Sequence, residues 1–163
     1  MITTERLELS KFQETDLQGY VNLITQSTVT QYLADGAEMT KEEATNRAPQ
    51  LFNDPWEDGY GVFVVREKTN DEIIGYCGIR VLPDERIELL YAYDPSSWGK
   101  GYATEAGAAV LAYGKEHFDL TELIGIAYPE NKGSIAVLKK LGFEFVGVEE
   151  YFGKALEVFV LKV

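Results

Sequence analysis

A chain of 163 residues, 45% hydrophobic and 26% charged, has the length and balance of one globular domain spanning 1–163, and no apolar run approaches the roughly 20 residues that cross a bilayer. Its formal charge of −12 opposes binding to nucleic acid or an anionic membrane surface and favours, through steering, a cationic partner. The single cysteine, Cys77, excludes an intramolecular disulfide, and with His117 as the single histidine no metal cluster is visible.

The Met1 to Arg6 start carries no basic-then-apolar leader, so a cytoplasmic protein is the default expectation. Leu7 and Leu9 alternate with polar residues and predict a strand over Arg6 to Phe12. Asp16 then caps a helix with Leu17, Tyr20, Val21 and Ile24 at helical spacing. Thr40, with Glu43 three residues on, is a capping-box signature for a second helix reaching Leu51 and Phe52, with Pro49 placed to end or kink it. The polar and acidic stretches between these helices, and from Asn53 to Gly59, read as loops.

From Tyr60 the period changes to that of strands. Tyr60 to Arg66, Ile73 to Val81 and Ile87 to Tyr93 form an expected meander, with turn chemistry at Asn70-Asp71 and Pro83-Asp84. Apolar residues on both faces of these strands imply a sheet covered by helices on both sides. Cys77 lies within such a strand as a buried small hydrophobe.

The stretch Trp98-Gly99-Lys100-Gly101-Tyr102-Ala103-Thr104 follows, and it looks like a phosphate cradle. Gly99 and Gly101 allow tight turning and close backbone approach, and the helix predicted over Ala103 to about Phe118 aims unpaired N–H groups back at them. Lys100 adds a formal charge. The dinucleotide-binding pattern is excluded because its third glycine would fall at Thr104. The P-loop is excluded because Asp94 or Pro95 stands where Gly is needed and Gly101 where Ser or Thr is needed. A near-continuous apolar strand at Leu123 to Tyr128, a helix from Asn131 to Leu141 stopped by Gly142, and a hairpin of Glu144 to Tyr151 with Leu156 to Val163 complete the chain.

Four features in a fixed order are similar to the GNAT acetyltransferases: Glu88 to Pro95, the glycine loop, Asn131-Lys132-Gly133-Ser134, and Leu138-Lys139-Lys140-Leu141-Gly142-Phe143. The loop fits that family's acetyl-CoA motif at Gly101 and Ala103, while Trp98 replaces its Gln or Arg and resembles the ribosomal-protein N-terminal acetyltransferase (RimJ/RimL) branch. The resemblance spans essentially the whole chain and implies the GNAT fold, an α/β (α+β) architecture with a mixed, mostly antiparallel sheet of about six to seven strands and helices on both faces. It implies acetyl-CoA as cosubstrate and no metal. The acceptor it implies is a primary amine, such as a basic peptide N-terminus or a polyamine, attacking directly in a ternary complex. An acyl-CoA-binding sensor without transfer activity is the alternative. Neither monomer nor homodimer is preferred by the sequence.

The resemblance also distributes roles. Glu88 is the candidate base, with an ion-pair partnership to Arg86 or Arg80 as its other role. Ser134 is the candidate proton donor to the departing sulfur, or a first-turn hydroxyl that stabilises the backbone; Leu138 occupies the place where many relatives have Tyr. Main-chain N–H groups around Tyr91 to Tyr93 would stabilise the developing oxyanion, with the two rings packed in the core. Trp98, Gly99, Lys100, Gly101, Tyr102, Ala103 and Thr104 would hold the cosubstrate, and Asn131 would contact it, cap its helix, or both. The loops after the first and second helices would border the acceptor site.

Overall fold

The computed structural model describes residues 1–57 and 59–163. An eight-stranded sheet runs in the order β1-β2-β3-β4-β5-β6-β8-β7. Its strands are β1 (Ile2–Thr3), β2 (Leu7–Lys11), β3 (Gly61–Glu67), β4 (Ile73–Val81), β5 (Ile87–Tyr93), β6 (Glu122–Ala127), β7 (Glu144–Tyr151) and β8 (Lys154–Lys162). The helices are α1 (Leu17–Ile24), α2 (Ser27–Thr30), α3 (Lys41–Phe52), α4 (Asp54–Glu57), α5 (Tyr102–His117) and α6 (Lys132–Lys140). Seven of these strands match the sequence expectation, and the eighth is the two-residue β1, which pairs with β2.

Every neighbouring pair is antiparallel except β5 and β6, which are parallel and joined through α5. That exception decides the site. The β5–β6 register consists of Glu88 opposite Ile124, beyond which the two strands splay apart.

Strand alternation sorts the side chains into two cores. Val62, Val64, Tyr76, Leu90 and Ala92 pack with Tyr20, Ile24, Ala44, Ala48 and Phe52 under α1 and α3. On the opposite face Phe63, Val65, Cys77, Ile79, Leu89 and Tyr93 pack with Ala106 and Val110 of α5 and Leu138 of α6. Helices therefore cover both faces, as the two-sided apolar strands require. Close approach is built in at Gly107, where an added Cβ would lie 2.7 Å from Leu141 Cδ1. Cys77 is fully buried, and burial pushes its thiol up to about 12.

Of two local expectations, one is refined and one corrected. Pro49 does not end α3: the helix continues to Leu51 and Phe52 as expected, because a proline near a C-terminus removes a single donor while Leu51 and Phe52 still bury in the core. The expected loop from Asn53 to Gly59 contains the helical turn α4, and Asp58 lies outside the described residues. No helix among the described residues is long and apolar enough to cross a membrane.

Candidate active site

A cleft of about 650 Å³ opens where β5 and β6 diverge. Eleven of the twelve residues singled out from sequence line it: Glu88, Tyr91, Tyr93, Trp98, Gly99, Gly101, Tyr102, Ala103, Thr104, Asn131 and Ser134.

The twelfth, Lys100, does not. Its Nζ lies 4.0 Å from Glu67 Oε1 and 5.8 Å from the Tyr102 ring centroid, outside the lining of this cleft. The turn that brings the loop backbone to the cleft directs the Lys100 side chain to the other side. Its main chain still contributes, since Lys100 O accepts a 2.8 Å hydrogen bond from Arg6 Nη1.

Two glycines in the left-handed region shape the loop, Gly99 at φ +73° and Gly101 at φ +80°. Gly101 is also the N-cap of α5. The first main-chain bond of that helix runs from Glu105 N–H to Gly101 O at 3.0 Å, so the N–H groups of Tyr102, Ala103 and Thr104 are left directed out of the helix start. Sixteen residues of α5 put a partial positive charge behind them. The result is an anion cradle made from main chain.

This cradle is braced by a residue that sequence patterning did not single out. Arg6 sits with its Cζ 4.6 Å above the Tyr102 ring and donates from Nε to Glu105 Oε2 at 2.7 Å. Glu105 also accepts from Arg6 N–H at 2.9 Å and from Thr4 Oγ1 at 2.6 Å. Burial pulls the Glu105 carboxyl up, but these hydrogen bonds and the Arg6 charge outweigh it and hold the group below its ordinary value.

Along β5 the main chain supplies the next donors. Asp94 N–H bonds to Ile74 O on the β4 side at 2.8 Å. Alternation along a strand then turns the N–H groups of Tyr93 and Tyr91 to the opposite edge, toward the gap. Tyr93 O on that edge accepts from Trp98 Nε1 at 2.8 Å.

The two side-chain faces of β5 contribute different chemistry. On the α5–α6 face, the Tyr91 hydroxyl lies 3.0 Å from Ser134 Oγ and 3.1 Å from Ser134 O. Burial pushes the Tyr91 hydroxyl well above its ordinary range, with the Ser134 hydrogen bond acting in the other direction, so it keeps its proton at neutral pH. Ser134 stands in the first turn of α6, and its N–H donates to Asn131 Oδ1 at 3.2 Å. Asn131 is thus the N-cap of α6 as well as a cleft residue.

On the α1–α3 face, Glu88 is 5% exposed and pairs through Oε2 with Arg80 Nε at 2.7 Å. Of the two arginines considered as partners, Arg80 is the one; Arg86 binds Asp84 and Glu149. Glu88 Oε1 has no hydrogen-bond partner among the described residues. Burial pulls Arg80 down, but the charge and hydrogen bond of Glu88 overcome this and hold it above its usual value. Between α1 and α3, Thr28, Val29, Tyr32, Leu33 and Ala34 line the cleft as expected, whereas the Asn53 to Gly59 stretch does not border it among the described residues.

Comparison with known proteins agrees with this geometry. Residues 6–144 match the family described as "Acetyltransferase (GNAT) domain". The chain is 31% identical over 147 residues to an uncharacterized N-acetyltransferase, YnaD, of Bacillus subtilis, covering 90% of this chain and 84% of that protein. Its fold matches an acetyltransferase from Agrobacterium tumefaciens at TM-score 0.86 and 22% identity, over 99% of this chain and 94% of the other. It matches RimL, a ribosomal L7/L12 α-N-protein acetyltransferase solved with coenzyme A, at TM-score 0.81 and 17% identity, over 98% and 96% of the two chains. With a parallel strand pair opening beside a main-chain anion cradle and the family's domain matched over most of its length, the chain belongs to the GNAT family of N-acetyltransferases.

Proposed function

We propose that this protein is an acetyl-CoA-dependent N-acetyltransferase of the RimJ/RimL type, transferring an acetyl group to a primary amine in a ternary complex. The observation that carries this is the continuity of one cleft between the α5 start and the open edge of β5. The RimL neighbour binds coenzyme A, and the residues here fit the same group. Gly99 to Thr104 would hold its pyrophosphate through main-chain N–H groups, and the Tyr91 to Tyr93 edge would hold its pantetheine arm. Bound acetyl-CoA supplies an activated acyl carbon and a thiol leaving group.

The chain's own residues then manage protons and charge. A free α-amine has a pKa of about 8 and a lysine-type amine about 10.4, so the acceptor must lose a proton before attack. Glu88 receives it at Oε1, directly or through one water, while Arg80 fixes the carboxylate through Oε2. The Tyr91 and Tyr93 N–H groups stabilise negative charge on the acyl oxygen. Ser134 Oγ–H gives a proton to the leaving sulfur, and Tyr91 Oη holds the Ser134 hydroxyl in place. Both ends of the transfer therefore have a proton carrier, on opposite faces of β5.

The experiment is incubation with acetyl-CoA and a panel of primary amines, small and peptidic, with CoA release and product mass both read. N-acetylated products with matching CoA release are expected. Tight acetyl-CoA binding with no CoA release across the panel would instead mark an acyl-CoA-binding sensor.

A further inference from the structure

The acceptor half of the cleft has a charge pattern opposite to that of the whole chain. The protein carries −12, yet the charged side chains lining the cleft are Arg47, Arg80, Lys132 and Lys140 against Glu88 and Glu130. Lys132 and Lys140 belong to α6, on the side of the proposed cosubstrate, where phosphate groups match them. Arg47 and Arg80 are on the other side, with Tyr76 and Leu51 under α3.

Arg80 uses Nε on Glu88 and has no protein partner for its Nη groups among the described residues. Arg47, half-buried on α3, makes no ion pair or side-chain hydrogen bond there at all. A partly buried guanidinium without a counter-charge is unfavourable, because its desolvation is uncompensated. Yet Glu88, already committed to Arg80, is the one carboxylate on this side of the cleft among the described residues. Arg47, Tyr76, Arg80 and Glu88 all line this one cleft.

Resting on the acetyltransferase function proposed above, we infer that the acceptor is a primary amine that also bears a carboxylate, with the amine directed to Glu88 and the carboxylate held by Arg47 and the free Nη groups of Arg80. Free amino acids and peptides beginning with an acidic residue share this chemistry. Steering by the chain-wide negative charge opposes such an acceptor, so its selection has to be local. A polyamine or basic N-terminus would put a second cation beside Arg47.

The test is made on product binding, which needs no turnover. N-acetyl-L-alanine, N-acetyl-L-glutamate and N-acetyl-γ-aminobutyrate are titrated calorimetrically into the full chain with CoA present, each beside its carboxamide, and an acetylated peptide beginning with glutamate forms a second arm. At least one carboxylate should bind about ten- to a hundred-fold tighter than its carboxamide, the range of one charge-assisted contact. Arg47→Gln should abolish that difference while leaving carboxamide affinity in place, and Arg47→Lys should restore part of it. The peptide arm separates the two sources: preference for it over the free acids assigns the carboxylate to an acidic side chain. Equal affinity of every acid and its carboxamide, including no binding of either, overturns the inference, as does a preference that survives Arg47→Gln. Failure of CoA release in the amine panel bears on the transfer reaction, whereas failure here bears on the arginine subsite.

Discussion

Trp98 Nε1 donates a 2.8 Å hydrogen bond to Tyr93 O, tying the glycine loop to the strand end at the open edge of the sheet. The indole N–H thus supplies a donor on a rigid frame at this place. Trp98 is 50% exposed, so it adds little to the core. Trp98→Phe should therefore weaken acetyl-CoA binding by about five- to ten-fold, the worth of roughly 1 kcal/mol, with almost no change in melting temperature. Calorimetric titration beside a thermal melt checks both; unchanged affinity would show that the indole bond does not set the loop.

Gly101 gives a sharper case. At φ +80° a β-branched residue is strained, and its Cβ would lie 3.5 Å from Arg6 Nη2, the side chain that braces the loop. Gly101→Val should raise the acetyl-CoA dissociation constant by at least ten-fold and cost about 1–2 kcal/mol of stability. Gly99→Ala tests backbone strain alone, because a Cβ there meets nothing within 4 Å. It should lower stability by about 1 kcal/mol with a smaller effect on binding.

Local chemistry is legible in the sequence, and long-range contacts are not. The strands Ile73–Val81 and Ile87–Tyr93 have the bounds expected from alternation, because their side chains are sorted between two cores. The glycine loop, the Thr40 box and the Asn131 cap were legible because each is local chemistry within a few residues. Contacts between distant parts of the chain were not. Nothing in the sequence pairs Arg6 with Lys100 O, or selects Arg80 over Arg86 for Glu88 until the register sets Arg80 opposite Glu88. The outward course of Lys100 depends on the left-handed turn at its neighbours, which residue types allow but do not orient. Single turns such as Ser27–Thr30 are too short to have a period.

Glu88→Gln keeps the shape of the side chain and removes its charge. Turnover should fall by about a hundred-fold or more, with acetyl-CoA affinity changed less than two-fold. Arg80 would lose its counter-ion, so stability should also drop by about 1–3 kcal/mol. Steady-state rates at saturating amine, measured at a temperature where both proteins stay folded, separate the two effects. An unaltered rate would remove Glu88 as the base and leave it as the Arg80 partner.

Tyr91 and Ser134 form a unit, so their effects should not add. Tyr91→Phe removes the hydroxyl that meets Ser134 Oγ at 3.0 Å, and Ser134→Ala removes the proposed proton donor itself. Each single variant should slow kcat by about ten- to a hundred-fold, and the double variant should be scarcely slower than Ser134→Ala alone. Multiplying effects would mean that the hydroxyls act independently. Stability provides a control, since Phe in place of Tyr91 preserves ring packing and should cost about 1 kcal/mol.

Glu105 links the amino-terminal segment to the cradle, and its depressed carboxyl value fixes the sign of a pH effect. A group whose folded value lies below its unfolded one contributes stability above the unfolded value and loses it as pH falls through the folded value. Glu105→Gln should thus be less stable than the parent by about 1–2 kcal/mol at pH 7, where the partly exposed Arg6 moderates the pair. That gap should persist down to about pH 4.5, the ordinary carboxyl value, and close below it as the parent's own Glu105 takes up a proton. Denaturant melts of both proteins from pH 7 to pH 3 give the difference directly. A gap that stays constant across this range would mean that Glu105 acts through packing and neutral hydrogen bonds, and that the charge on Arg6 contributes nothing to fixing the loop.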